Sequence, residues 1–347
     1  MKNLVLQFII MLVLLAGSIK AQSLIAVQNG GEPVFYQQVD SALFHSQDGD
    51  TIYIPGGTWY ITQPVNKRLH LIGAGHNPDS TIATFQTTLI GNLSFSTGSS
   101  YGSFTGFYLI GYIQVLDATV VSCSISRCHI KYGINLYSSN DNFSFIENIL
   151  EGGFWASVGP SSCTFFNNII AACHWYSGDE PIMPFIDSFF KNNVFLDNMQ
   201  AGGCQSIVSQ YSLFENNIFI GYFFSNVYCF VFNSTFKNNL FSDWSPPPYP
   251  YSSNVCSNSI NNQPLNSIFV NWSGTTFVYT DDYHLQSGCP GKNAGTDGTD
   301  MGIYGGSFPW KEGSVPFNPH IQLVNIADTT DQNGNLNVNI RVAAQDH

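Results

Sequence analysis

From residue 104 to 242 the apolar positions recur at a coarse interval, not at the 3.6 of a helix or along one long alternating strand. Five segments align without gaps: 145–150 (FIENIL), 165–170 (FFNNII), 190–195 (FKNNVF), 214–219 (FENNIF) and 236–241 (FKNNLF). The second Asn of each corner recurs at 148, 168, 193, 217 and 239, in steps of 20, 25, 24 and 22. A degenerate copy, 125–130 (ISRCHI), lies one step upstream, and 104–109 (FTGFYL) is an earlier one. Steps of this size are too short for a propeller blade of about 40 residues, and they lack a leucine-rich signature. They fit one coil of a parallel β-helix, whose equivalent residues stack about 4.8 Å apart. Phe145, Phe165, Phe190, Phe214 and Phe236 then form one apolar file, with Ile125 at its start. Leu150, Ile170, Phe195, Phe219 and Phe241 form a second. Between the two files the Asn pair supplies a corner, because Asn tolerates the left-handed backbone region and stacked amides hydrogen-bond along the axis.

The ends of such a solenoid must be covered, since open coils expose core and strand edges. Residues 33–46 carry Val34, Phe35, Val39, Leu43 and Phe44 at roughly helical spacing, which predicts an amphipathic helix over the N-terminal opening. After Gly306, Pro309, Pro316 and Pro319 mark a linker. Residues 321–326 and 336–342 alternate as strands around Asn333-Gly334, a hairpin signal for a short β-tail that either caps the C-terminal end or begins a separate module.

Residues 1–21 read as a signal peptide: Lys2, an apolar run from Leu4 to Ala16 broken only by Gln7, and a small polar exit ending at Ala21. The expectation is therefore a secreted or cell-surface protein with no membrane span after cleavage. An N-terminal segment with the capping helix would occupy 22–48, the β-helix 49–306 and the tail 307–347. Export permits disulfides. The eight cysteines show no CxxC and no paired zinc spacing, so no metal is expected. Cys123 and Cys163 fall two coils apart with Phe143 between them, roughly 9.6 Å, beyond disulfide reach.

Two flanking segments carry a family resemblance. Residues 48–60 (DGDTIYIPGGTWY) are similar to the entry into the first coil, and 283–306 (YHLQSGCPGKNAGTDGTDMGIYGG) to the closing segment, of secreted bacterial right-handed parallel β-helix proteins of the pectate-lyase-like superfamily. Residues 71–75 (LIGAG) fit an early coil. The resemblance implies an all-β, single-solenoid, right-handed fold. On activity it is silent, because that architecture hosts lyases, hydrolases and noncatalytic proteins alike.

Composition narrows the chemistry. Only 10% of residues are charged, and 11 basic against 23 acidic residues give −12, which excludes an electrostatic footprint for nucleic acid. Removing residues 1–21 deletes Lys2 and Lys20 and no acid, moving the charge to −14. Lys191, Glu215 and Lys237 share one column and read as a surface charge ladder, with a lyase base set as the alternative. Asp281-Asp282 and Asp179-Glu180 read as loop carboxylates rather than a glycosidase pair. His129 sits in a column of aliphatics and reads as a structural histidine. Trp155 and Trp175 each lie seven residues past an Asn corner, so they should stack on neighbouring coils as a platform for sugar faces, with Tyr176, Asp179 and Glu180 at its edge. The leading expectation is a noncatalytic monomer, without cofactor, that binds polysaccharide along one flank. A polysaccharide lyase or glycoside hydrolase, and a structural or adhesive solenoid, are the alternatives.

Overall fold

The computed structural model describes residues 24–136, 139–152, 154–156, 160–171, 185–196, 209–221, 231–242, 253–274 and 277–344. The segment read as a signal peptide, Cys173, Cys204 and Cys229 lie outside them. The chain winds as a parallel β-helix. Each coil gives a three-residue strand to a first sheet, turns a corner, and gives a short strand to a second. Ten parallel strands of the first sheet run from Thr51–Tyr53 to Val255–Ser257. The second sheet has nine described strands, from Gly57–Tyr60 to Leu240–Phe241. A third holds Leu93–Phe95, Tyr112–Val115, Gly133–Leu136 and Phe154–Ala156.

The register is the one the repeat dictates. Phe145 pairs with Phe165, Phe165 with Phe190, Phe190 with Phe214, and Phe214 with Phe236. Their rings stack nearly parallel, with centroids 4.9, 4.6, 4.6 and 4.6 Å apart. Phe195, Phe219 and Phe241 stack likewise at 4.7 and 4.8 Å.

The second Asn of each corner is fully buried. Asn168 Nδ2 donates to Asn193 Oδ1 (3.0 Å) and to the Phe145 carbonyl (2.8 Å). Its own Oδ1 accepts from the Asn148 backbone N–H (2.9 Å) and from Asn148 Nδ2 (3.1 Å). Asn193 and Asn217 repeat the pattern. An amide with two donor hydrogens and two acceptor lone pairs is thus saturated without water. The first residue of each corner takes the positive φ: Arg127 50°, Glu147 55°, Asn167 55°, Asn192 56°, Asn216 58° and Asn238 51°.

A second left-handed corner, not visible in the repeat, precedes the first sheet. Ser122, Asn142, Ser162, Asp187, Tyr211 and Asn233 have φ of 48–60°. The residue after it forms its own ladder, in which the Ser188 backbone N–H donates to Ser212 Oγ and that of Ser212 to Ser234 Oγ (3.0 and 3.1 Å). Cys123 and Cys163 occupy this position in earlier coils, flank Phe143 and are unbonded.

The N-terminal cap differs from expectation. Val34–Tyr36 is a strand, antiparallel to Ile25–Gln28, which in turn pairs antiparallel with the first coil. Only Val39–His45 is helical, burying Val39, Ala42 and Leu43 while Val34, Phe35 and Phe44 stay exposed. A short apolar run suits either period, and here an unpaired sheet edge offered hydrogen bonds that a helix would forgo.

The chain leaves the coils after the bridge at Ile260 and turns back along their outside. An antiparallel pair, Phe269–Asn271 with Asp282–Leu285, and residues 289–303 cover the outer face of the second sheet. Ile149, Ile169, Val194, Ile218 and Leu240 there form a second core with Ile268, Phe269, Leu285, Met301 and Ile303. The returning segment then follows the Asn corner towards the first coils. Asn238 donates to the Ala294 carbonyl, Asn192 to Gly302, Asn167 to Ile303 and Gly305, and Arg127 to Val315. Arg127 is fully buried, bonded to Glu147 at 2.9 Å and capped by the Phe317 ring at 3.6 Å. Beyond it, Pro316 packs where a side chain at Gly106 would stand, its Cγ 2.2 Å from an ideal Cβ there. The tail strands His320–Ile326 and Val338–Ala343 pair as a mostly exposed hairpin. That hairpin starts beside Leu24, Ala26 and Tyr53 at the N-terminal end.

Phe214→Ala is expected to destabilise by about 3–5 kcal/mol, since it opens a cavity in the stacked file. Asn193→Ala should cost at least as much, because each orphaned buried partner costs about 1–3 kcal/mol. Lys237→Ala, at the exposed end of the Lys191–Glu215–Lys237 ladder, should cost under about 1 kcal/mol. Chemical denaturation of the three variants checks this order.

Candidate functional site

Of the sequence-predicted site residues, Trp155 lies in the third sheet, in register with Asn135. Trp175, Tyr176, Asp179 and Glu180 lie outside the described residues. The flank to which Trp155 belongs is built by alternation. Leu93, Ile113 and Ile134 point into the core, as do Phe95, Val115 and Leu136. The positions between them, Ser94, Gln114 and Asn135, are half-buried on the outer side, and Trp155 holds the next position of that file.

The corner leading into this flank is glycine-dependent. An ideal Cβ on Gly111 would stand 1.9 Å from the Gly91 carbonyl oxygen, so the backbones of neighbouring coils nest directly. The next coil carries Tyr132 here, 47% exposed, and its ring lies 5.6 Å from that of Tyr112. Asn92 Nδ2 donates to Gln114 Oε1 at 3.2 Å, and Asn92 Oδ1 accepts from the Tyr112 backbone N–H at 3.0 Å. The result is a strip of amides and tyrosines one coil apart.

At the edge of the same corner His129, expected as a structural histidine, belongs to a chain of titratable groups. Lys131 and His129 Nε2 both hydrogen-bond Glu151, the latter at 2.7 Å. His129 Nδ1 lies 2.8 Å from the Tyr279 hydroxyl, which is 3.0 Å from His76 Nδ1. Because the Glu151 carboxylate accepts, His129 donates from Nε2, and its Nδ1 faces the Tyr279 hydroxyl, which donates to the His76 carbonyl at 3.0 Å. His76 Nε2 is buried without a partner.

Burial, then the nearby His129, holds the His76 pKa well below the ordinary value. Burial also lowers His129, outweighing the pull of Glu151. Desolvation would raise Glu151, but hydrogen bonds from His129 and Lys131 bring it below the usual carboxylate range. Burial pushes the Tyr279 phenol up. Burial therefore favours the neutral form of both imidazoles, and Lys131 is committed to Glu151. The chain fastens Tyr279, on the returning segment, to coils 150 and 203 residues away in sequence.

Of the carboxylates considered for glycosidic chemistry, Asp281 accepts from the Ser273 N–H and the Tyr283 hydroxyl and Asp282 from the His284 N–H, while Asp179 and Glu180 lie outside the described residues. Glu215, against its desolvation, is held low by Thr296, Lys191 and Lys237, as a charge ladder requires.

No family model and no curated protein sequence matches the chain. Among solved structures the chain is similar to the pectate lyase Pel9A, at 12% identity and a TM-score of 0.37, over 76% of this chain and 90% of that one. The parallel β-helix stands on the strand ladders and Asn file themselves. No helix among the described residues is long and apolar enough to cross a membrane.

Because His76 and His129 titrate lower when folded than the roughly 6.5 of an unfolded chain, their contribution is complete above that pH and is lost as pH falls through it. Unfolding midpoints should drop between about pH 7 and 5. The slope should be shallower in His76→Asn.

Proposed function

We propose that this is an exported, noncatalytic β-helix protein that binds polysaccharide along the third-sheet flank. The observation that carries the reading is the outer file Ser94–Gln114–Asn135, with Trp155 at its next position and Tyr112 and Tyr132 beside it. Aromatic faces with a few amides at the edge suit a sugar ring, which is apolar on its face and polar at its rim. The coil rise of about 4.8 Å is close to the length of one sugar ring, so successive coils meet successive residues of a chain.

Trp175, Tyr176, Asp179 and Glu180, proposed from the sequence alone to take part in the same binding, lie outside the described residues. Export is supported by the apolar run from Leu4 to Ala16. The noncatalytic reading is supported by the structural use of these groups, His129 and Glu151, which fasten Tyr279 of the returning segment to the coils.

Affinity electrophoresis of the full chain through gels cast with different polysaccharides tests the reading. At least one polymer should retard the protein. Tyr132→Ala and Trp155→Ala should each weaken that binding roughly 3- to 10-fold, the worth of one aromatic contact. Incubation with the bound polymer should release no new reducing ends. Their appearance would move the assignment to a glycan-degrading enzyme.

A further inference from the structure

We infer that the polysaccharide this flank accepts is uncharged. The inference rests on the flank-binding reading above and deepens it to a ligand class.

A polyuronate carries one carboxylate per sugar, so a site for it needs unspent cations at the same spacing. Nine basic residues follow residue 24, and all of them are described. Lys131 stands at the corner of the flank, and its ammonium is held by Glu151. At the N-terminal end, Lys67 donates to the Leu43 and Phe44 carbonyls and Arg68 pairs with Asp48. The cations on the remaining coils are likewise spent: Arg127 on buried Glu147, and Lys191 and Lys237 on Glu215; Lys292 on the returning segment binds Asp300, and Lys311 and Arg341 belong to the tail beyond the coils.

The stretches of sequence 172–184, 197–208 and 243–252, which lie outside the described residues, contain no Lys or Arg at all. Their charged residues are Asp179, Glu180, Asp197 and Asp243. With a chain charge of −12, a polyanion would approach a surface of its own sign.

What the flank does present suits hydroxyls. In the Asn92–Gln114 amide pair Asn92 is exposed and Gln114 half-buried, and a primary amide both donates to and accepts from a sugar hydroxyl. Tyr112 and Tyr132 offer ring faces and phenol groups one coil apart. Such contacts are insensitive to ionic strength, unlike ion pairs at a surface.

The test is titration of the full chain with two sets of polymers at low and at high salt. One set is neutral: β-glucan, mannan and xylan. The other is polyuronate: polygalacturonate and alginate. The expected result is binding to at least one neutral polymer, unchanged by salt and weakened roughly 3- to 10-fold in Gln114→Ala and in Tyr132→Ala. Both variants should keep the wild-type unfolding midpoint, since these side chains are not core. Binding confined to polyuronates and weakened by salt would overturn the ligand class. It would leave the flank reading standing if Tyr132→Ala still reduced it. Absence of binding to either set by the folded protein would overturn both.

Discussion

The buried file of asparagines is the constraint from which the other features follow. Each amide has four hydrogen-bonding valences and, in the middle of the file, spends all four on neighbouring coils. In a dry interior an unmade bond of this kind is expensive, so the file fixes successive coils in height and rotation together. The phenylalanine stacks inherit that alignment, which is why their rings lie within 10° of parallel. The file also decides where the chain can vary in length. Steps of 20, 25, 24 and 22 residues meet at the same corner, so extra residues must leave between the second sheet and the next first-sheet strand. Sequence variation in size is thereby gathered in the connection between those two strands.

What could be read from the sequence was what repeats in place. The Asn corners and the two apolar files were legible because one residue type recurs at one position on coil after coil. The second left-handed corner was not, because Ser122, Asn142, Ser162, Asp187, Tyr211 and Asn233 share a backbone angle and no chemistry. The course of residues 294–317 was hidden for a different reason. Corner side chains hold it largely by its backbone carbonyls, and a carbonyl leaves no mark on residue identity. At the N-terminus, Val34–Tyr36 had the apolar content of either element, and pairing to Ile25–Gln28 decided it.

The candidate site was legible in the same uneven way. Trp155 was named from its offset from the Asn, and its strand pairs in register with Asn135 in the third sheet. Gln114, Tyr112 and Tyr132 were missed because the third sheet carries no repeated motif. The His129 chain had a partial signal, since Lys131 and Glu151 fall at equivalent positions on adjacent coils. Its other half, Tyr279 and His76, comes from sequence separations of 150 and 203 residues, which only the fold closes.

The returning segment changes what kind of object the solenoid is. A stack of coils that touch only their neighbours behaves as a one-dimensional chain, free to fray from its last turn inward. Here the polypeptide that leaves the last turn is bonded in succession to Asn238, Asn192, Asn167 and Arg127, and its end reaches the first coils. Peeling away the final coil would therefore pull on contacts along most of the axis. Nearest-neighbour coupling becomes end-to-end coupling, and the molecule gains the all-or-none character of a globular domain while keeping the long, flat sides of a fibre.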